Sequence, residues 1–254
     1  MKTGIKGFLL LVVLLMNPGL SLGADHAPAN GPDHNPGGTA LSVSPVQNQN
    51  DFTNVWVIGI QAGPTFALQN LVNIRGTTTN LVSGVGPYVS LSALRGIQHY
   101  QDAGLNLLVG LDIDYNSLPV NSQTTSFNWG NTSTFSLLPT LEIRTDNEAN
   151  LSFYASLGLG VNFNSFSNSS SLNTFCGGVS CSISPSDSFA ARFGFGVDYF
   201  ITQNFALNTE IGYLFNLTNT TMTLVVPGGS AAGSQNVNLS TLFILFGFHY
   251  RSFI

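Results

Sequence analysis

Residues 193–213 read FGFGVDYFITQNFALNTEIGY, and their pattern decides the fold. Phe193, Phe195, Val197 and Tyr199 alternate with Gly194, Gly196 and Asp198. After a short turn at Thr202, Gln203 and Asn204, Phe205, Leu207, Ile211 and Tyr213 alternate with Asn208, Glu210 and Gly212. A period of two sends successive side chains to opposite faces of a strand. The stretch therefore predicts an antiparallel hairpin with one large apolar face and one small, polar or charged face.

The same alternation recurs outward in both directions. Eight segments carry it, at residues 56–68, 82–94, 105–115, 134–144, 151–163, 189–199, 205–215 and 240–253. In the third, Leu105, Leu107, Val109, Leu111, Ile113 and Tyr115 oppose Asn106, Gly110, Asp112 and Asp114. Each segment is about ten to thirteen residues long, which suits a strand tilted across a bilayer. Strands of soluble sheets average about five or six. The connectors alternate in length: 95–103, 146–149 and 202–204 are short, whereas 69–80, 117–131, 164–187 and 217–238 are long and polar.

Composition decides which face is outside. Charged residues are 7% of the 254-residue chain, against roughly a quarter in a soluble domain. The polar faces are built of Gly, Ser, Asn and Thr, where a soluble exterior would carry many lysines and glutamates. Such small side chains fit the narrow lumen of an eight-stranded barrel, which side chains just fill. No apolar run of about 20 residues occurs beyond the N-terminus, so no transmembrane helix is expected. The expected fold is an all-β, eight-stranded antiparallel up-and-down transmembrane β-barrel spanning residues 54–254. Trp56, Tyr115, Phe163, Tyr199, Phe205, Tyr213, Phe215 and Tyr250 lie near segment ends, where an aromatic girdle is expected.

Residues 1–24 read as a secretory signal peptide. Lys2 and Lys6 precede the apolar core FLLLVVLLM at 8–16, then Asn17-Pro18-Gly19 and small residues follow. Residues 25–53, rich in Pro, Gly, Asn and Ala, are expected to be a disordered periplasmic tail. His26 and His34 in this tail lack nearby ligand partners, so a solvated linker explains them better than a metal site. With both lysines in the leader and a net charge of -5, a nucleic-acid footprint is excluded.

The hairpin at 193–213, with the LGLG of residues 157–160 before it, resembles the penultimate hairpin of small outer-membrane barrels of the porin family, the outer-membrane protein W, opacity and outer-membrane protein A-like groups. In one respect the chain departs from them: such barrels commonly end in an aromatic residue, and here Phe253 is followed by Ile254. The resemblance implies the bacterial outer membrane, periplasmic termini and extracellular long loops. It implies contact with outer-membrane lipid, and with periplasmic chaperones and the barrel-assembly machinery during export.

Nine ionisable residues fall on the inward faces: Asp112, Asp114, Glu142, Arg144, Arg192, Asp198, Glu210, His249 and Arg251. An isolated buried charge is costly, so these are expected to pair, as a structural fill of the lumen or as a gate. Asp112 with Asp114, and Glu142 with His249, are the only acid/base-like or metal-like combinations. No nucleophile elbow, zinc-helix motif or phosphate loop accompanies them, and no enzyme, cofactor or metal is expected. Cys176 and Cys181, in CGGVSC, predict a local disulfide formed in an oxidising compartment. Two functions stay open. One is a narrow conduit for small solutes or a plain structural barrel; the other is a non-conducting surface adhesin that binds an extracellular ligand through its long loops.

Overall fold

The computed structural model describes residues 51–68, 81–122, 128–146, 150–175, 178, 181–225 and 231–252. The expected leader and almost all of the expected tail, with His26 and His34, lie outside these residues, as do Cys176, Phe253 and Ile254.

The hairpin at residues 193–213 forms as expected. Its two arms are β8 (Ser188–Phe200) and β9 (Phe205–Asn216), paired Phe193 to Tyr213 and Asp198 to Asn208. The backbone N–H groups of Ile201 and Thr202 both donate to the Phe205 carbonyl, which closes the turn. The other strands are β1 (Trp56–Ala67), β2 (Leu81–Ser83), β3 (Val85–Tyr100), β4 (Leu105–Ser122), β5 (Asn128–Thr145), β6 (Leu151–Asn168), β7 (Ser182–Pro185), β10 (Thr220–Val225), β11 (Ala231–Val237) and β12 (Thr241–Ser252). The eight long strands pair antiparallel in the cycle β1, β3, β4, β5, β6, β8, β9, β12 and back to β1. Closure leaves the barrel no open edge, which resolves the unpaired-backbone problem of a lipid-facing sheet.

Burial alternates along each strand as the sequence alternates. Thirty large apolar side chains are exposed among the described residues, including Ile58, Leu91, Phe135, Leu159, Phe189, Ile211 and Phe246. A water-soluble monomer rarely exposes an apolar patch beyond a few hundred Å²; a band of this size round a closed barrel suits lipid. The girdle residues all point outward. Trp56, Tyr199, Phe205 and Tyr250 lie at the end with the short turns, and Tyr115, Phe163, Tyr213 and Phe215 near the other. Phe205 stacks on Phe248 with ring centroids 5.2 Å apart, and Phe193 meets Phe215 edge-on at 5.5 Å.

Of the long connectors expected from sequence, 117–131 and 217–238 prove to be strand in large part, and 164–187 is strand at 164–168 and 182–185. β4, β5 and β6 each run 18 residues, well past Tyr115 and Phe163 and starting well before Thr134. The outward positions there become Ser117, Pro119, Asn121, Asn131, Ser133, Ser165 and Ser167. The apolar alternation stops there, although the strand goes on. Beyond Tyr115, β4 extends about 20 Å further at about 3.3 Å per residue. On the opposite side β7, β10 and β11 form a three-stranded sheet of their own, continuing the line of β8, β9 and β12. Between this sheet and the tall wall lies an apolar core of Val120, Trp129, Leu172, Ile183, Met222, Leu224, Val237 and Leu239. Leu172 comes from a short helix, Ser170–Phe175. At the other end, the connector expected at 95–103 is mostly strand, and the chain turns through a 3-10 turn at Gln101–Ala103 into left-handed Gly104.

Candidate functional site

The site is the barrel interior, and it is built in layers. All nine ionisable residues picked out from the sequence are buried inside it. Next to the short turns lies an apolar layer of Phe52, Val57, Leu94, Leu108, Phe200 and Ala206. The Arg251 guanidinium stacks in it, 3.8 Å from the Phe52 ring centroid and 4.0 Å from that of Phe200.

Above this layer sits the first ionic group. Arg144, fully buried, donates through Nε to Glu142 at 2.8 Å and through Nη1 to Asp198. His249 Nδ1 lies 2.9 Å from the same Asp198, whose other oxygen accepts from Asn208 Nδ2 at 2.6 Å. Glu142 and His249, the acid/base-like combination noted from sequence, do not bond to each other. Glu142 is held by Arg144 on its own strand, two residues along and on the same face, and the imidazole goes to Asp198.

A neutral polar layer follows. The Tyr154 hydroxyl donates to Glu210 Oε2 at 3.0 Å and accepts from Asn208 at 2.9 Å and Gln61 at 3.2 Å. Gln61 also donates to Glu210 and Asn208.

Arg192 centres the next layer. Its Nη2 lies 2.7 Å from Glu210, its Nη1 3.0 Å from Asp112, and its Nε 3.4 Å from Asp114. Ser156 accepts a fourth contact at 3.3 Å, and Thr140 donates to Asp112 at 2.9 Å. Asp112 and Asp114 are therefore two ligands of one guanidinium, not an acid/base pair. Its planar fork suits carboxylates arriving from several strands. Tyr88 donates to Asp114 Oδ2 at 2.7 Å. Over this layer Tyr88, Leu138, Ala190, Leu214, Phe243 and Leu245 pack together, with Arg192 5.0 Å from the Phe243 centroid. An amide and hydroxyl layer then leads to the outer apolar core: Asn162 accepts from Ser136 and donates to Asn216, which donates on to Thr220.

Sequence reasoning missed Gln61, Tyr88 and Tyr154 as members of the network. Each stands in the inward register of its segment, two residues from an inward Gly, Ser or Thr, and register alone could have found them. Phe52 carried no such signal, since it precedes the first alternation. Of the two cysteines, Cys181 is buried in the outer core and is not a free thiol; Cys176 lies outside the described residues.

No protein-family model matches the chain, and no curated protein matches it. Solved structures do. It is similar to the outer membrane protein OprG from Pseudomonas aeruginosa, at 12% identity over 81% of this chain and 99% of that one, with a TM-score of 0.61. Neisserial surface protein A matches at 16% identity over 78% and 97%, with a TM-score of 0.42. Outer membrane protein W from E. coli matches at 17% identity over 79% and 98%, with a TM-score of 0.33. The likeness to OprG is one of fold, a closed antiparallel barrel as described above. This chain has the fold of the small eight-stranded outer-membrane β-barrels.

Proposed function

We propose that this protein is an outer-membrane barrel sealed along its axis, which acts through the part that projects beyond the lipid, as a structural or surface-interaction barrel and not as an axial conduit. One observation carries this reading. At the Arg192 level, side chains from strands all round the barrel (Gln61, Ser90, Asp112, Asp114, Thr140, Arg192 and Glu210) are each no more than 5% exposed. Water reaches almost none of their surface, and an aqueous path along the axis would have to pass through them. Eight strands leave room for side chains rather than a channel. The outer extension, by contrast, has its own sheet, its own apolar core and an outward surface of Ser, Thr and Asn.

Planar-bilayer recording on folded protein tests the reading, with a bona fide porin as control. Silent membranes are expected. Steady single-channel steps would return the barrel to the narrow-conduit reading. A variant joining Asn216 to Thr241 by a tight turn, without β10 and β11, should still fold into the lipid-spanning barrel while losing binding to any surface ligand.

The remaining parts of the proposal rest on the leader-like sequence at residues 1–24, on the resemblance to small outer-membrane barrels and on the cysteine spacing. Residues 1–24 are removed on export, the termini face the periplasm and the extension faces outward. The chain meets periplasmic chaperones and the barrel-assembly machinery on its way to outer-membrane lipid. Cys176 and Cys181 join in a disulfide, and mass spectrometry of exported protein finding two free thiols would reject that bond.

A further inference from the structure

The chain just before β1 does not simply lead into the barrel. Asp51–Val55 folds back under the end with the short turns and sets Phe52, fully buried, inside the lumen. The notch that receives it is specific. The Phe52 N–H donates to Asn106 Oδ1 at 3.1 Å, and Asn106 is itself held by donation to Asp146 at 2.8 Å. Gly96 lies against the Phe52 carbonyl so closely that a Cβ there would come within 1.8 Å of the oxygen. Gly96 accepts from the Asn54 N–H at 2.9 Å and donates to the Val55 carbonyl at 2.9 Å. Asn54 adopts a φ of 63°, one of two non-glycine residues with positive φ among the described residues, and the chain reverses there. Arg95 donates to the Asn54 side chain at 3.0 Å. Next to Phe52, Thr53 and Asn54 lie outside the notch and are exposed.

We infer that Asp51–Val55 is a stopper strap. Phe52 closes the lower mouth of the lumen and keeps water from the Arg144, Asp198 and His249 layer, and the strap leaves and re-enters while the barrel stays closed. Three features support this. The strap's backbone meets the wall at one isolated parallel bridge, Thr53 to Gly96, and not in a ladder; the side chains of Asn106 and Arg95 also bond it to the wall. It pivots at a single left-handed residue. Of its two buried apolar residues, Phe52 and Val55, only Phe52 belongs to the lumen cluster, its ring laid against two guanidinium groups, Arg251 at 3.8 Å and Arg144 at 5.5 Å, an arrangement that loses one contact set when the ring withdraws. The inference goes beyond the proposed function, because it holds whatever the outer extension binds.

The test uses full-length folded protein. Ala206 is buried in the same cluster as Phe52 and points into the lumen, so A206C reports water access there. T202C, in the exposed β8–β9 turn, serves as the open reference. Labelling by a charged thiosulfonate is measured above the parent chain's background, with folding verified by heat-modifiable gel migration. We expect A206C to react at least about 10-fold more slowly than T202C, F52A to raise the A206C rate about 10-fold or more, and F52L to restore protection. An A206C rate unchanged by F52A overturns the stopper. Hydrogen exchange on the unmodified chain tests withdrawal without any variant. The Phe52 and Val55 amides should exchange at least about 10-fold faster than the paired amides of β4; exchange only at the rate of the barrel strands overturns a strap that moves on its own.

Discussion

Replacing Arg192 with alanine removes the one cation among three carboxylates. The guanidinium lies within 3.4 Å of Asp112, Asp114 and Glu210, and every member of the group is at most 3% exposed. Removing one partner of a buried ion pair typically costs about 3–5 kcal/mol, because the remaining charge keeps its desolvation penalty without its compensation. Here three charges are orphaned at once, so R192A is expected at the upper end, about 5 kcal/mol. The same reasoning predicts the opposite for a neutral replacement. R192M combined with D112N, D114N and E210Q removes the charges together and should cost about 1–2 kcal/mol, since exchanging both partners for neutral groups of similar shape is often close to neutral. Equilibrium unfolding in urea, in phosphatidylcholine vesicles with intrinsic Trp fluorescence, measures both. If R192A is within about 0.5 kcal/mol of wild type, the network does not hold the barrel. If the quadruple variant is as unstable as R192A, the loss comes from packing and hydrogen bonding rather than orphaned charge, and the electrostatic argument fails.

Other consequences follow from single contacts. Y154F deletes a hydroxyl shared by Glu210, Asn208 and Gln61, and should cost about 1–3 kcal/mol in the same unfolding assay. G196A places a Cβ 2.3 Å from the Tyr154 ring and should cost a similar amount, recovered in part when combined with Y154F only if the clash is with the hydroxyl, 2.4 Å away. W129A, in the outer apolar core, should make the extension about 3–5 kcal/mol less stable and open it to protease, while the heat-modifiable barrel band persists. L157R, on the outward face at the middle of the β6 apolar run, should cost about 2–4 kcal/mol in vesicles. A soluble barrel would accept that arginine at little cost, so a stable L157R variant would argue against a lipid-facing exterior.

Much of the lipid-spanning part was legible because period-two alternation is a local property. Leu105 to Tyr115 reads as a strand with one apolar face whatever surrounds it. The same register places Asp112, Asp114, Arg192 and Glu210 indoors, and closure of the sheet then brings them together. The pairing inside was less legible. Glu142 and His249 share a type that suits acid/base pairing, yet closure of the barrel brings His249 across the lumen to Asp198, while Glu142 is held by Arg144 two residues along its own strand.

The eight alternating segments, their outward apolar face and the identity of the buried charges were all readable from the chain, because each depends on spacing along one strand. The fold shows how far the strands continue, since β4, β5 and β6 lose their apolar alternation beyond Tyr115, Phe135 and Phe163 without losing their hydrogen bonds. It alone revealed that supposed loops carry a sheet and an apolar core, for that core is assembled from residues more than a hundred positions apart, Val120 to Leu239. It also decided the place of Phe52. A lone aromatic in a polar stretch has no periodicity to declare its face, and only the notch at Gly96 and Asn106 fixes where it goes.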